Sequence, residues 1–310
     1  MAQSLFKVLK PANIDVLAPT WSEGLLARMP EVRQTFPHSI KHGQISWSER
    51  RRLSHLLHSQ NYQQAIVLPN SWKAALIPFW AKIPHRTGYK GEMRYGLLND
   101  IRKLDKEILP RTVDRFVALG LPKKASKIVQ PPKPTLKPFP VAPTLQRLGQ
   151  EPPQQPILAL CPGAEYGPAK CWPLEYYAAC AKRKLAEGWQ VWIFGSNKDI
   201  PLGNTIQTLT GKACHNLCGQ TSLPEAVDLL SLASAVITND SGLMHVASAL
   251  HKPTIAIYGS SSPVMTPPLS DNAQIVSLEL ECSPCYQRTC QFQHLKCLRD
   301  IQPDDVLARL

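Results

Sequence analysis

The run Val236-Ile237-Thr238-Asn239-Asp240-Ser241-Gly242-Leu243-Met244-His245 puts a carboxylate, hydroxyls, a glycine and an imidazole where an apolar strand gives way to a helix. Leu243, Met244, Val246, Ala247, Ala249 and Leu250 continue with helical spacing. A helix that starts here offers backbone N–H groups without intrahelical acceptors and the positive end of its dipole. Asp240 or Ser241 is expected as its N-cap, and Gly242 lets a ligand come close to the backbone. Such a junction is suited to holding a phosphate. Three further stretches carry related groups. Pro162–Pro173 contains Glu165, Tyr166 and Lys170, Gly195–Asp199 contains Gly195 and Asp199, and Gly259–Pro263 begins with Gly259. Lys170 supplies the positive charge that a diphosphate needs. Each has a plainer reading: Gly195 and Gly259 as turn glycines, Lys170 as a solvated loop residue, Asp240 as a cap only, His245 as a half-buried histidine. The convergence of all four stretches on one edge of a parallel sheet is more telling than any one of them.

Each of these stretches follows a short apolar run, Ile157–Cys161, Gln190–Phe194, Ala235–Thr238 or Thr254–Tyr258. Segments with helical periodicity lie at Leu174–Glu187, Asp199–Leu209, Leu223–Ala233 and Leu243–Leu250. Continuous apolar strands separated by helices predict a parallel sheet covered on both faces, with its site outside the carboxyl ends of the strands. The first half repeats the alternation, with strands at Ile14–Ala18, Gln64–Leu68 and around Ile83–Gly88. Helices are expected there at Ser4–Leu9, Ser48–His58, Ser71–Trp80 and Pro110–Leu119. Gln130–Pro156 is dense in proline, which excludes a helix interior or a central strand and reads as an extended linker. The expected organisation is therefore a domain over 1–130, a linker over 131–156 and a domain over 157–310. Both domains are read as doubly wound α/β units facing across a cleft.

A chain of 310 residues accommodates two such domains, and 44% hydrophobic with 19% charged residues is the composition of a globular protein rather than a disordered one. No apolar run approaches the roughly 18–20 residues of a membrane span, and Met1–Lys10 does not read as a signal peptide, so a cytoplasmic location is expected. The net charge of +12 favours an anionic partner. Nothing beyond charge supports nucleic acid. Of nine cysteines, four cluster as Cys282-x2-Cys285-x4-Cys290-x6-Cys297 around His294. In a reducing compartment that pattern suggests metal ligands before disulfides, but the spacing is not that of a standard zinc ribbon, and free or packed thiols are favoured.

Pro162-Gly163-Ala164-Glu165-Tyr166-Gly167-Pro168-Ala169-Lys170 with Trp172-Pro173, Asn239–His245 and Tyr258-Gly259 resemble the lipopolysaccharide heptosyltransferases of glycosyltransferase family 9, most closely the heptosyltransferase II branch. Leu68-Pro69-Asn70-Ser71, Ile83–Gly88 and Arg94–Asp100 are similar to the amino-terminal domain of the same family, and the cysteine cluster to a subset of its members. The resemblance covers nearly the whole chain. It implies a GT-B fold and an inverting transfer of L-glycero-D-manno-heptose from ADP-heptose to the first heptose of the inner core. The acceptor implied is heptosyl-Kdo2-lipid A, with the enzyme peripheral at the inner face of the inner membrane. Lys170 and Asp240 are implied as catalytic. Glu165, Tyr166, Lys170, Gly195, Asp199, Asp240, Ser241, Gly242, His245 and Gly259 are implied at the ADP-sugar, with Asp199 toward the ribose. No metal or other cofactor is implied, because a lysine and a helix dipole supply the positive charge. Arg86 and the basic segments of the first half suit a phosphorylated acceptor.

One departure bears on mechanism. Family members begin with a strand and a Gly-Asp loop whose aspartate is the proposed general base, whereas Met1–Leu5 resembles the helix after that loop. The expected strand, loop and base are therefore absent from this sequence. A start downstream of the real one is preferred over a damaged copy, since the rest of the site is intact. The alternatives are a non-catalytic nucleotide-sugar binder or another GT-B enzyme such as a nucleotide-sugar epimerase, for which no acid–base pair stands out.

Overall fold

A computed structural model describes residues 1–9, 12–123 and 130–310. The chain forms two compact units. One comprises Met1–Ala27 and Glu31–Pro132, the other Arg28–Pro30 and Lys133–Leu310. The sequence-derived first domain, 1–130, includes positions 10–11 and 124–129, which lie outside the described residues.

The amino-terminal unit runs α1 (Ala2–Val8), β1 (Ile14–Pro19), α2 (Glu23–Leu26), β2 (Val32–His38), α3 (Trp47–His58), β3 (Gln64–Val67), α4 (Trp72–Trp80), β4 (His85–Tyr89), β5 (Asp100–Arg102) and α5 (Thr112–Gly120). Its strands are all parallel but form two sheets, β1–β2 and β3–β4–β5. Leu53 and Leu57 of α3 and Ile77 of α4 pack with Phe36 of β2, while Leu17 of β1 and Ala65 of β3 lie against the same cluster. Ser71 caps α4 by accepting from the Ala74 N–H at 3.4 Å. The expected strands and helices are present, each shifted by a few residues at most. Two strands went unread. β2, Val-Arg-Gln-Thr-Phe-Pro-His, pairs among the described residues only with β1, and an edge strand tolerates both its polar residues and Pro37. β5 has three residues, too few for a periodicity.

Several arginines of this unit turn inward to backbone carbonyls. Arg94, 1% exposed, donates to Tyr89 O at 3.1 Å and Pro69 O at 2.6 Å. Arg86 donates to Leu97 O and Ile83 O, at 2.7 and 2.6 Å. Arg50 donates to Lys73 O at 2.9 Å. Part of the positive charge that the sequence offers to an anionic partner is thus spent inside the unit, including the guanidinium of Arg86.

The carboxy-terminal unit comprises α6 (Ala142–Arg147), β6 (Ile157–Cys161), α7 (Leu174–Ala186), β7 (Gln190–Ile193), α8 (Ile200–Leu209), β8 (His215–Asn216), α9 (Leu223–Leu230), β9 (Ala235–Asn239), α10 (Gly242–Ala249), β10 (Thr254–Tyr258), β11 (Ala273–Ser277), α11 (Lys296–Arg299) and α12 (Pro303–Leu307). Six parallel strands stand in the order β11-β10-β9-β6-β7-β8. Starting from β6, this is the dinucleotide-fold order 3-2-1-4-5-6, and the direction of winding reverses between β6 and β9. β6, β9 and β10 are buried at every residue, as their unbroken apolar sequences require.

The proline-rich segment differs from the extended linker expected over 131–156. From Lys133 onward it belongs to the carboxy-terminal unit. Leu136 is buried and its N–H donates to Ala249 O at 2.9 Å. Proline is tolerated in a first helical turn, where no N–H is needed, and Pro143 occupies that place in α6. Arg147 of α6 pairs with Glu225 at 2.7 Å. Phe139 N–H donates to Asp228 at 2.8 Å, and its ring lies 4.3 Å from the Arg28 guanidinium, which pairs with the same carboxylate.

Candidate functional site

The four polar stretches emerge at the carboxyl ends of β6, β7, β9 and β10, on one edge of the sheet. Asn239, wholly buried at the end of β9, fixes the first of them. Its Nδ2 donates to Pro162 O at 2.6 Å, while its Oδ1 accepts from Trp172 N at 3.0 Å and from the Tyr177 hydroxyl at 3.1 Å. The loop after β6 is thereby held at both ends by one side chain of the neighbouring strand. Its short helical turn, Pro168–Lys170, carries Lys170 to the Asp240 carboxylate, with Nζ 2.5 Å from the oxygen. This ion pair spans the β6/β9 reversal. Thr266 Oγ1 reaches the other Asp240 oxygen at 3.5 Å.

Asp240 is therefore a partner of Lys170 rather than a cap. The N-cap position of α10 falls on Ser241, whose hydroxyl lies 3.3 Å from Thr238 Oγ1 and makes no capping bond. The opening amides of α10 are left without a side-chain acceptor. A Cβ built on Gly242 would meet nothing within 4 Å, so the chain's own packing does not require glycine there. Open space, uncapped amides and a lysine make a site for an anion. His245, one turn in, is half-buried, and burial pushes its pKa down to about 4, leaving it neutral near pH 7.

The other expected residues are placed around this centre. Tyr166 lies beneath two cations, Lys170 Nζ at 5.3 Å and the Arg288 guanidinium at 5.4 Å from its ring, and its hydroxyl donates to Tyr286 O at 2.6 Å. Glu165 pairs with Lys198 at 2.5 Å, both largely exposed, joining the first two loops. Asp199 accepts from the N–H and hydroxyl of Ser196, both at 2.7 Å. It also fills the space beside two glycines: a Cβ on Gly163 would lie 2.4 Å from its Oδ1, and one on Gly195 would lie 2.6 Å from its Cβ. Gly259 is likewise set by packing, since its Cβ would stand 2.6 Å from Leu298 Cγ. Asn239, Thr266 and Arg288 are contributors that sequence reasoning missed. Only Asn239 left a signal, as an amide closing an otherwise apolar strand.

A dinucleotide-fold sheet carrying a lysine and an uncapped helix at its reversal point is an arrangement suited to a phosphorylated ligand such as a nucleotide. The sequence model described as Glycosyltransferase family 9 (heptosyltransferase) matches residues 50–296. Lipopolysaccharide heptosyltransferase 2 of Escherichia coli K12 is 45% identical over 327 residues, covering 100% of this chain and 93% of the relative. Its Salmonella typhimurium counterpart is 46% identical with the same coverage. The solved structure of the E. coli ADP-heptose LPS heptosyltransferase II superposes with a TM-score of 0.86 at 42% identity, covering 99% of this chain and 92% of that one. The chain belongs to glycosyltransferase family 9, with the GT-B fold of that family.

Proposed function

We propose that this protein transfers L-glycero-D-manno-heptose from ADP-heptose to the heptose of heptosyl-Kdo2-lipid A, with inversion. Identity of 45% over the full chain to a heptosyltransferase 2 supports the reading. The observation that carries it is the Lys170–Asp240 pair beside the uncapped start of α10. In the reaction an acceptor hydroxyl attacks the anomeric carbon and gives up its proton to solvent, the bond from that carbon to the β-phosphate oxygen breaks, and ADP leaves. Negative charge grows on the leaving diphosphate. Lys170 and the amides of Gly242 and Leu243 are the groups able to meet it, in the manner of an oxyanion hole. They supply the charge a metal supplies elsewhere, so turnover without added Mg²⁺ or Mn²⁺ is expected. Glu165, Tyr166, His245 and Gly259 border this donor site, and Asp199 lies toward the nucleoside.

The acceptor is a lipid, and we place the enzyme at the cytoplasmic face of the inner membrane. No helix among the described residues is long and apolar enough to cross a membrane. On the amino-terminal unit, Trp47 lies 6.1 Å from Trp72 and 5.9 Å from Trp80, and Arg51 sits over the Trp80 ring. Aromatic rings mixed with cations suit the headgroup region of anionic lipid.

ADP release from ADP-heptose, measured with and without heptosyl-Kdo2-lipid A, tests the function. Release that depends on the acceptor is expected. Folded protein that binds ADP but releases none in the presence of acceptor would overturn transfer in favour of a binder.

A further inference from the structure

The cysteine cluster lies next to the site described above and is not explained by it. Cys282, Cys285, Cys290 and Cys297 all line one cavity of about 10 Å³, with Ala169, Ser260 and His294 also in its wall. That is room for about one atom-sized sphere, too little for an organic ligand. All four cysteines are unbridged. The Ser260 hydroxyl, in a residue 1% exposed, has no hydrogen-bond partner, and buried hydroxyls are seldom left so.

We propose that Cys282, Cys285, Cys290 and Cys297 bind one transition-metal ion as a tetrathiolate, Zn²⁺ by the nature of the ligands. Zn–S bonds of about 2.3 Å in a tetrahedron put the sulfurs about 3.8 Å apart. The thiols line the cavity, but among the described residues no three His, Cys, Asp or Glu side chains are already set to hold a metal ion. Protonated thiols gain nothing by approaching one another. Loss of their protons to a metal supplies that gain. On binding, Zn²⁺ enters, four S–H protons leave to solvent, and the ion with its four thiolates carries a net charge of −2. No redox change is involved.

The ion would brace two loops of the candidate site. The segment between these cysteines holds the loop after β6 through Ala169 N to Arg288 O at 3.0 Å, and the loop after β10 through Tyr286 N to Ser260 O at 2.7 Å and the Ser283 hydroxyl to Gly259 O at 2.6 Å. The metal is structural, distinct from any role at the leaving group, and the proposal does not depend on the identity of the donor.

The test is elemental analysis of the full chain, expressed in zinc-supplemented medium, dialysed, and reloaded with Zn²⁺ or Co²⁺ alone under reducing conditions. About one Zn²⁺ per chain is expected, and the Co²⁺ form should show thiolate-to-metal charge-transfer absorption. Cys290→Ser, at a residue outside the apolar core, should lose most of the metal while keeping its far-ultraviolet circular dichroism. Cys171→Ser, outside the cluster, should keep it. Negligible metal in the reloaded wild type, metal content unchanged by Cys290→Ser, or two disulfides among the four cysteines by mass spectrometry would each overturn the proposal.

Discussion

Replacing Asn239 with leucine tests whether one buried side chain holds the loop that carries Lys170. The substitution keeps the branching at Cγ, removes every polar side-chain atom and replaces them with larger methyl groups, whose overpacking adds to the loss. Three partners lose their contact: Pro162 O, Trp172 N and the Tyr177 hydroxyl. The Tyr177 hydroxyl retains Cys161 O at 3.4 Å, so two buried groups are left wholly unsatisfied. At about 1–3 kcal/mol for each orphaned group, the loss is roughly 2–6 kcal/mol, centred near 4. That is a large part of the ~5–15 kcal/mol that holds a typical domain folded. With an m-value of about 2 kcal/mol/M, the urea midpoint followed by tryptophan fluorescence should fall by about 2 M. ADP affinity should fall with it, because Lys170 is no longer presented. A midpoint within about 0.3 M of wild type, together with unchanged ADP affinity, would refute the assignment. Asn239→Asp adds a check on sign. It keeps both acceptor contacts but sets an oxygen against Pro162 O, so its carboxyl is raised in the folded state and donates only when protonated. Its stability should be highest in acid and decline as pH rises from about 4, the unfolded-state value.

Three further outcomes follow from the same geometry. Lys170→Met should lower the rate of transfer by about 10²–10³-fold, and a loss below tenfold in acceptor-dependent ADP release would remove Lys170 from the leaving-group site; because that variant strands the buried Asp240 charge, Lys170→Met combined with Asp240→Asn should recover stability without activity. Gly242→Ala, whose Cβ meets open space, should change stability by no more than ~1 kcal/mol yet weaken ADP binding at least tenfold by calorimetry, and equal affinity would show that no ligand approaches there. His245, with its pKa pushed down to about 4, takes up a proton in the unfolded chain before it does so in the folded one; stability should therefore fall as pH drops from about 6.5 to 4, by up to ~3 kcal/mol in all, and His245→Gln should flatten that part of the denaturation profile.

What the sequence made legible follows burial. β6, β9 and β10 are covered on both faces, and their apolar runs announce them. The start of α10 is legible because Gly242 and the helical spacing are local signals. The partner of Asp240 is not local. Lys170 lies seventy residues away, and only the β6–β9 pairing brings the two together. Hence the sequence leaves the cap open between Asp240 and Ser241, while the structure puts the N-cap position on Ser241 and pairs Asp240 with Lys170. Asn239 acts through bonds to Pro162, Trp172 and Tyr177, none of them adjacent in sequence. Net charge was the least reliable guide, since a count of arginines does not distinguish Arg94, enclosed among carbonyls, from Arg51 at the surface over Trp80. Proline content misled over 133–156 because a proline excludes helix interiors and central strands without excluding a packed segment.

The two units differ in how well their strands are covered, and this sets an order of opening. β6, β9 and β10 are buried at every residue, whereas β1 is partly exposed at five of its six positions and β3 is buried at only one of four. Amides of β6, β9 and β10 should exchange with deuterium only through the largest unfolding events. Those of β1 and β3 should exchange through smaller, partial openings at lower free energy. The phosphate site would then stay assembled while the amino-terminal unit breathes, and a brief protease pulse should cut first within residues 14–67.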